Sequence, residues 1–111
     1  MLLLESTPLW IGPERQLLED ARRAARWPAA VYLGVGTKET ADETVNKVGL
    51  SDMKLLGSFI RQKSPATALK IVVEPGAKHE PAAWRGRLPA ALQFLFAGKR
   101  KEYRKTYKPG R

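Results

Sequence analysis

The residues best suited to chemistry are a histidine and a group of carboxylates that precede it. His79 is the only histidine of the sequence, and Glu39, Asp42 and Glu43 lie close together ahead of it. A carboxylate that accepts a hydrogen bond from imidazole Nδ1 fixes the ring tautomer, and Nε2 can then take a proton from a serine hydroxyl. Such a pair would act as a general base. On residue chemistry alone, the alternative is a surface histidine and a solvated glutamate.

Two short apolar runs determine where these side chains lie. Residues 29–35 show no polar alternation, which is typical of a parallel strand buried on both faces, and residues 69–73 predict a second strand. Glu39 and His79 lie in the loops that follow these strands. Sites in open parallel sheets form at the carboxyl ends of the strands, and adjacent strands lie about 5 Å apart. We therefore expect Glu39 and His79 to meet if the two strands are neighbours.

Three helices are expected around the strands. The first covers residues 13–27 and the second covers residues 40–63, where Thr40 and Glu43 have the spacing of a capping box. The third begins at Pro81, and Pro89 is expected to kink or divide it.

The predicted order is helix, strand, helix, strand, helix, preceded by a loop over residues 1–12. This alternation predicts an α/β fold with a parallel strand pair joined by a right-handed crossover. Two strands are too few for a complete doubly wound domain, so we interpret residues 1–97 as part of a larger sheet. An exposed apolar sheet edge predicts self-association or low stability.

Composition limits the possible classes of function. A chain of 111 residues with 43% hydrophobic content is one folded domain or part of one. It has no cysteine, which excludes disulfides and thiolate ligands, and its single histidine argues against a multi-histidine metal site. The apolar start of the chain is too short for a signal peptide or a membrane span, so a cytoplasmic location is expected by default.

Two longer stretches resemble a known family. They are Val31-Tyr-Leu-Gly-Val-Gly-Thr-Lys-Glu39 and Leu69-Lys-Ile-Val-Val-Glu-Pro-Gly-Ala-Lys-His79, the latter continuing through Trp84 to Phe96. Upstream, Glu5-Ser-Thr-Pro-Leu-Trp10 resembles a Ser-Pro-Ser-hydrophobic-Trp loop. Over roughly residues 5–97 the chain resembles the C-terminal region of the α/β-hydrolase family that includes enterochelin (siderophore) esterases, esterase D-like enzymes and feruloyl esterases.

The resemblance implies roles for particular residues. His79 matches the general base of the family, and Glu39 matches the triad carboxylate, with the neighbouring Asp42 and Glu43 as alternatives for the acid. The family needs neither a metal ion nor an organic cofactor.

Helix positions and the nucleophile complete the comparison with the family. Trp84 and Leu92 match positions that pack the histidine loop onto the sheet. The Gly-x-Ser-x-Gly nucleophile elbow, which should precede the acid, is missing. Ser51 has only half of this motif and follows the acid. We therefore expect the C-terminal part of a serine carboxylic-ester hydrolase, inactive alone and acting on an ester substrate only with its missing N-terminal part.

The charge points to a second class of function. Of the net charge of +9, seven Lys or Arg and one Glu in residues 98–111 contribute +6. This stretch is expected to be a basic, disordered tail, and we favour a solvated terminus over a nucleic-acid-binding segment. In the alternative, Lys, Arg and Tyr side chains would contact phosphates and stack on bases. Those candidate contacts are Lys99, Arg100, Lys101, Tyr103, Arg104, Lys105, Tyr107 and Lys108.

Overall fold

The computed structural model describes the backbone of residues 1–106 and the side chains through residue 97. Three parallel strands alternate with helices along the chain, which is an α/β fold. The strands are β1 (Leu2–Glu5), β2 (Ala30–Gly36) and β3 (Ala68–Glu74), and the helices are α1 (Gln16–Arg23), α2 (Glu43–Lys63) and α3 (Pro81–Thr106). A short 3-10 turn, Pro13–Arg15, precedes α1.

The sheet contains one strand more than the sequence pattern predicts. Leu2–Glu5, which was expected to be a loop, pairs in parallel with β2, and the strand order is β1-β2-β3. The pairing continues beyond the strand, because Ser6 N donates to the carbonyl oxygen of Gly34 at 2.8 Å. An apolar run of four residues is too short to show a period, and its pairing partners lie far away in the sequence. The parallel pairing of β2 with β3 is confirmed.

One face of the sheet packs against α1 and α2. Alternate residues of β2 (Val31, Leu33 and Val35) point to this side and pack on the buried stripe of α2, formed by Met53, Leu56 and Ile60. Burying a side chain of this size contributes roughly 1.5–3 kcal/mol. This core therefore holds α2 against β2, and the loop that carries Glu39 joins the two elements.

The other face packs against α3. Tyr32, Ala91 and Leu95 are buried together, with Phe94 partly buried beside them. Leu92 was expected in this core but is 42% exposed, because the helix turns its Arg87, Ala91 and Leu95 side to the sheet.

Pro89 lies inside α3 without dividing it, so of the two expected effects, a kink or a division, the division does not occur. The proline is exposed, so the lost backbone hydrogen bond falls on the solvent side, where the helix can accommodate it. The helix continues to Thr106, and the predicted boundary between residues 97 and 98 therefore falls within it.

The start of α2 also differs from the prediction. Asp42, not Thr40, is the N-cap, and its carboxylate accepts from the backbone N–H groups of Thr44 and Val45 at 2.8 and 3.2 Å. Thr40 instead bonds to Asn46, with its backbone N and its hydroxyl both donating to Oδ1 of the amide. The capping-box spacing placed the helix start too early because Asp42 is itself a strong N-cap residue.

Candidate functional site

Glu39 and His79 meet at the carboxyl end of the sheet. Nδ1 of His79 lies 3.0 Å from Oε2 of Glu39. The Glu39 side chain is 13% exposed and the imidazole is 51% exposed. The loops after β2 and β3 thus bring together the two residues that the sequence pattern placed there. Since Nδ1 faces the carboxylate, Nε2 is the nitrogen available for proton transfer.

Backbone contacts hold the two loops together. Thr37 N donates to the Glu74 carbonyl at 3.1 Å, and Lys38 N donates to the Ala77 carbonyl at 3.0 Å. A Cβ atom at Gly36 would overlap the Ala77 carbonyl oxygen, so this close approach requires glycine. The position of His79 relative to Glu39 is therefore set by main-chain geometry.

The second oxygen of Glu39 accepts two further hydrogen bonds. Gly36 N and the hydroxyl of Ser6 both lie 2.6 Å from Oε1. With His79 on the other oxygen, the carboxylate has a partner on each of its oxygens. This arrangement fixes the rotation of the carboxylate and therefore the direction from which it meets the imidazole.

The other two candidate acids have different partners. Asp42 caps α2, and Glu43 forms an exposed ion pair with Lys38 at 2.6 Å. The geometry thus selects Glu39 as the carboxylate that contacts His79.

Ser6 and Trp84 belong to the site, although sequence analysis did not predict the hydrogen bonds that join them to it. Ser6 is buried at the end of β1 with a φ of 53°, a backbone conformation that is uncommon for a residue other than glycine. The indole N–H of Trp84 donates to Ser6 Oγ at 3.0 Å. The indole ring also packs edge-on against His79, with ring centroids 5.0 Å apart. The resemblance includes the loop that holds Ser6, and it gives Trp84 as a packing residue. No sequence pattern predicts the hydrogen bond between these two side chains.

Arg87 supports this arrangement from the α3 side of the sheet. Its guanidinium contacts Glu5 at 2.8 Å and Glu74 at 2.5 Å, and it reaches Ser6 Oγ at 3.5 Å. Burial by itself lowers the pKa of Arg87, but the hydrogen bonds to the two carboxylates outweigh burial and raise the pKa overall. Arg87 therefore joins the ends of β1 and β3, one on each side of β2.

The remaining serines lie away from His79. Ser51 is exposed within α2, Ser58 donates to the Leu55 carbonyl, and Ser64 bonds to Thr67. Ser6 is close, but its hydroxyl donates to Glu39 and not to the imidazole. Among these serines, none has the geometry of a nucleophile activated by His79.

Several sequence-based candidates lie beyond the described side chains. Lys99, Arg100, Lys101, Tyr103, Arg104 and Lys105 have only their backbone described, within α3, and Tyr107 and Lys108 lie outside the described residues. Within the described part of the chain, no group of three or more His, Asp or Glu is arranged to hold a metal ion. No helix among residues 1–106 has the length and hydropathy needed to cross a bilayer.

Comparison with known proteins returns no match to any family model, any curated protein or any solved structure. The functional argument for this chain therefore rests on the geometry of Glu39, His79 and the residues around them.

Proposed function

We propose that this chain supplies the histidine and carboxylate of a serine carboxylic-ester hydrolase of the α/β-hydrolase type, whose nucleophile lies outside the sequence. In this proposal His79 is the general base and Glu39 orients it. Residues 1–97 would then be the C-terminal part of the hydrolase domain, and the chain alone would be inactive.

The observation that carries the proposal is the 3.0 Å contact between His79 Nδ1 and Glu39 Oε2, with the imidazole half exposed. A carboxylate on Nδ1 favours the tautomer that protonates this nitrogen, and Nε2 then presents its lone pair to the solvent side. The pair also lies at the carboxyl ends of parallel strands, where sites form in folds of this class.

The reaction would proceed in two steps. A serine hydroxyl attacks the ester carbonyl and passes its proton to Nε2 of His79. Nε2 then returns this proton to the leaving alcohol as the tetrahedral intermediate collapses. In the second step, water gives a proton to Nε2 and attacks the acyl-enzyme, after which the acid leaves and the serine recovers its proton. Glu39 stabilises the imidazolium in both steps and remains ionised.

The tautomer of His79 tests the assignment in the chain as it is. At a pH where the ¹⁵N spectra show a neutral ring, Nδ1 should be protonated and Nε2 unprotonated. Glu39→Gln should shift the ring toward the other tautomer, whereas Glu43→Gln, which changes the exposed partner of Lys38, should not. An Nε2-protonated ring in the unmodified chain would contradict the assigned role.

Hydrolysis tests the rest of the proposal. The N-terminal part of an enterochelin-esterase-like enzyme, including its nucleophile elbow, would be joined ahead of Met1 and assayed with p-nitrophenyl acetate. We expect hydrolysis that falls at least about a thousandfold with His79→Ala, while the exposed neighbour Lys78→Ala leaves it unchanged. A folded chimaera that is inactive, or whose hydrolysis is indifferent to His79→Ala, would rule the proposal out.

A further inference from the structure

The three helices end at one edge of the sheet, opposite to the candidate site. α1 precedes β2 and α2 precedes β3, so each of these helices runs against the strand direction and ends near the start of the next strand. α3 runs the same way. Its Arg87 bonds to Glu5 at the carboxyl end of β1. Farther along α3, Leu95 lies in the buried cluster against which Ala30, the first residue of β2, packs. The amino ends of the strands and the carboxyl ends of the helices therefore share one end of the molecule.

Exposed cations collect at this amino end of the sheet. Six of them have described side chains and together form what we term the basic face: Arg22, Arg23, Arg26, Arg61, Lys63 and Lys70. Glu19 and Asp20 of α1 lie near them, and Glu19 pairs with two of the arginines. The opposite end of the sheet carries most of the described acids: Glu5, Glu39, Asp42, Glu43, Glu74 and Glu80. Charge is thus separated along the direction of the strands.

Stabilisation of helix ends explains only part of the basic face. Lys or Arg in a last turn interacts favourably with the helix dipole, which accounts for Arg61 and Lys63 at the end of α2. Arg26, however, follows Ala24, the C-cap of α1, by two residues, and Lys70 lies within β3. Within the described part of the chain, neither Arg26 nor Lys70 forms an ion pair. Their charges are therefore available to a partner.

The chain segments that carry Arg26 and Lys63 are in contact. Lys63 is the last residue of α2, and Thr67, four residues later, donates from its hydroxyl to the Pro28 carbonyl at 2.9 Å. Arg26 lies two residues before this proline, and Trp27 between them packs against the core formed with α1 and α2. Arg26 and Lys63 therefore belong to one group of cations on the side of the sheet that α1 and α2 cover.

A second group of cations lies on the other face of the sheet. Lys70 is on the α3 side, because Val72, two residues farther along β3, packs against the cluster that contains Tyr32. The backbone of α3 continues beyond Leu95 to Thr106. At 1.5 Å per residue, this continuation is about 16 Å long. It contains one Glu and five Lys or Arg residues: Lys99, Arg100, Lys101, Arg104 and Lys105.

A ligand that contacts both groups of cations must be extended and carry many charges. The axes of helices on opposite faces of a sheet are roughly 20 Å apart, since each layer is about 10 Å thick. A single phosphate or carboxylate cannot span this distance. Duplex nucleic acid can, because it carries one negative charge for about every 1.7 Å of its axis. Four of the six cations of the basic face are arginines, and the planar guanidinium binds phosphate through two hydrogen bonds.

The neighbours of these cations favour nucleic acid over a lipid surface. Protein segments that bind a bilayer surface combine cations with large apolar side chains that enter the headgroup region. The exposed residues next to the cations in sequence are small or polar: Ala25, Gln62, Pro65 and Ala66. The basic face therefore offers charge without such apolar side chains beside it.

We propose that the basic face binds the phosphate backbone of duplex nucleic acid, independently of base sequence. The group beside α1 and α2 and the group on the α3 side contact phosphates of different strands. This face lies at the end of the sheet opposite to Glu39 and His79, so the inference does not depend on the proposed hydrolase function.

Fluorescence anisotropy of a labelled DNA duplex tests the proposal on the full chain. With a duplex of about 24 base pairs we expect saturable binding at about 50 mM salt that weakens as the salt concentration rises, because bound phosphates release counterions. The slope of log Kobs against log salt concentration should be about −4 or steeper, which corresponds to roughly four or more phosphate contacts.

Two matched double substitutions locate the binding surface. Arg26→Gln with Lys63→Gln should weaken binding at least about tenfold near 0.1 M salt and make the slope less steep by about 2, because each phosphate contact contributes about 0.9. Lys47→Gln with Lys78→Gln removes the same charge near the opposite end of the sheet and should change the affinity less than about twofold. Both variants keep residues 98–111, so the contribution of that stretch is the same in the two.

A single substitution tests the α3 side of the basic face. Lys70→Gln should weaken binding at least about threefold, since it removes one phosphate contact. Exposed substitutions usually change the free energy of unfolding by less than about 0.5 kcal/mol. Thermal melts of all variants should therefore agree with that of the unmodified chain, which separates loss of binding from loss of folding.

Three results would overturn the proposal. Equal losses in the two double variants would show that net charge attracts the duplex, with no contribution from this face. An affinity unchanged by Lys70→Gln would rule out contacts from both faces of the sheet. Binding to phosphatidylserine vesicles without binding to the duplex would assign the basic face to a membrane. Hydrolysis by the chimaera, or its absence, bears on none of these results.

Discussion

The indole N–H of Trp84 donates a hydrogen bond to the hydroxyl oxygen of Ser6 at 3.0 Å, across 78 residues of sequence. Because this oxygen accepts from the indole, its own proton is directed to Glu39, 2.6 Å away. Glu39 in turn meets His79. A side chain of α3 thus determines the direction of the hydroxyl group that fixes the carboxylate, and the same indole packs edge-on against the imidazole.

Trp84→Phe should remove this hydrogen bond while keeping an aromatic ring beside His79. We expect a loss of about 1 kcal/mol in the free energy of unfolding beyond that caused by the smaller ring, measured by urea denaturation. Trp27→Phe is the matched control, because Nε1 of Trp27 is buried without a hydrogen-bond partner among the described residues. Equal losses in the two variants would show that the Trp84 N–H contributes nothing.

Arg87→Met should leave two carboxylates at the sheet end without their cation. Breaking a buried pair typically costs about 3–5 kcal/mol. We expect the lower end of this range, since Glu74 is 44% exposed, whereas Glu5 is 14% exposed. Arg85→Met, an exposed change on the same helix, should shift stability by less than about 0.5 kcal/mol. Chemical denaturation of both variants checks this, and similar values for the two would contradict the role of Arg87.

Gly36→Ala should push the loop after β3 away from the loop after β2. The new methyl group would overlap the Ala77 carbonyl, and backbone atoms cannot yield as the end of a side chain can. We expect a destabilisation of about 1–3 kcal/mol and loss of the Nδ1-protonated tautomer of His79 in ¹⁵N spectra. Gly86→Ala should instead stabilise the chain, because nothing lies within 4 Å of its Cβ. A Gly36→Ala protein with an unchanged His79 spectrum would show that this close approach does not hold the loop.

Ionisation of the buried Tyr32 phenol should make the protein less stable at alkaline pH. Burial raises the pKa of its phenol, and the charge of Glu5 adds to the effect. The folded-state pKa of Tyr32 lies above the unfolded value of about 10. The stabilisation that the neutral phenol contributes is therefore fully present below about pH 10, and it is lost as the pH rises through the folded-state pKa. The slope for one proton is at most about 1.4 kcal/mol per pH unit.

Comparing Tyr32→Phe with the unmodified chain isolates this effect. Urea denaturation between about pH 9 and 11 brackets the ordinary tyrosine pKa, and other groups titrate in both proteins. The difference in unfolding free energy should change in favour of the phenylalanine variant as the pH rises. A constant difference over this range would show that the phenol is not buried as described.

Sequence alone was sufficient for the α/β alternation and for the meeting of Glu39 with His79. Both follow from local patterns: apolar runs mark β2 and β3, and a parallel pair places the loops after its strands at one edge of the sheet. The backbone rules that relate such runs to strands act over a few residues, so they can be applied without knowing the rest of the fold.

Which residues surround that pair could be learned only from the tertiary structure. Leu2–Glu5 becomes a strand only through hydrogen bonds to β2, and Ser6 acquires its place from that pairing. Trp84 and Arg87 reach Ser6 only because α3 packs across the sheet. These contacts join residues that are distant in sequence, and no local periodicity records which distant side chains meet. Which distant side chains meet is determined only when hydrophobic burial packs the helices on the sheet.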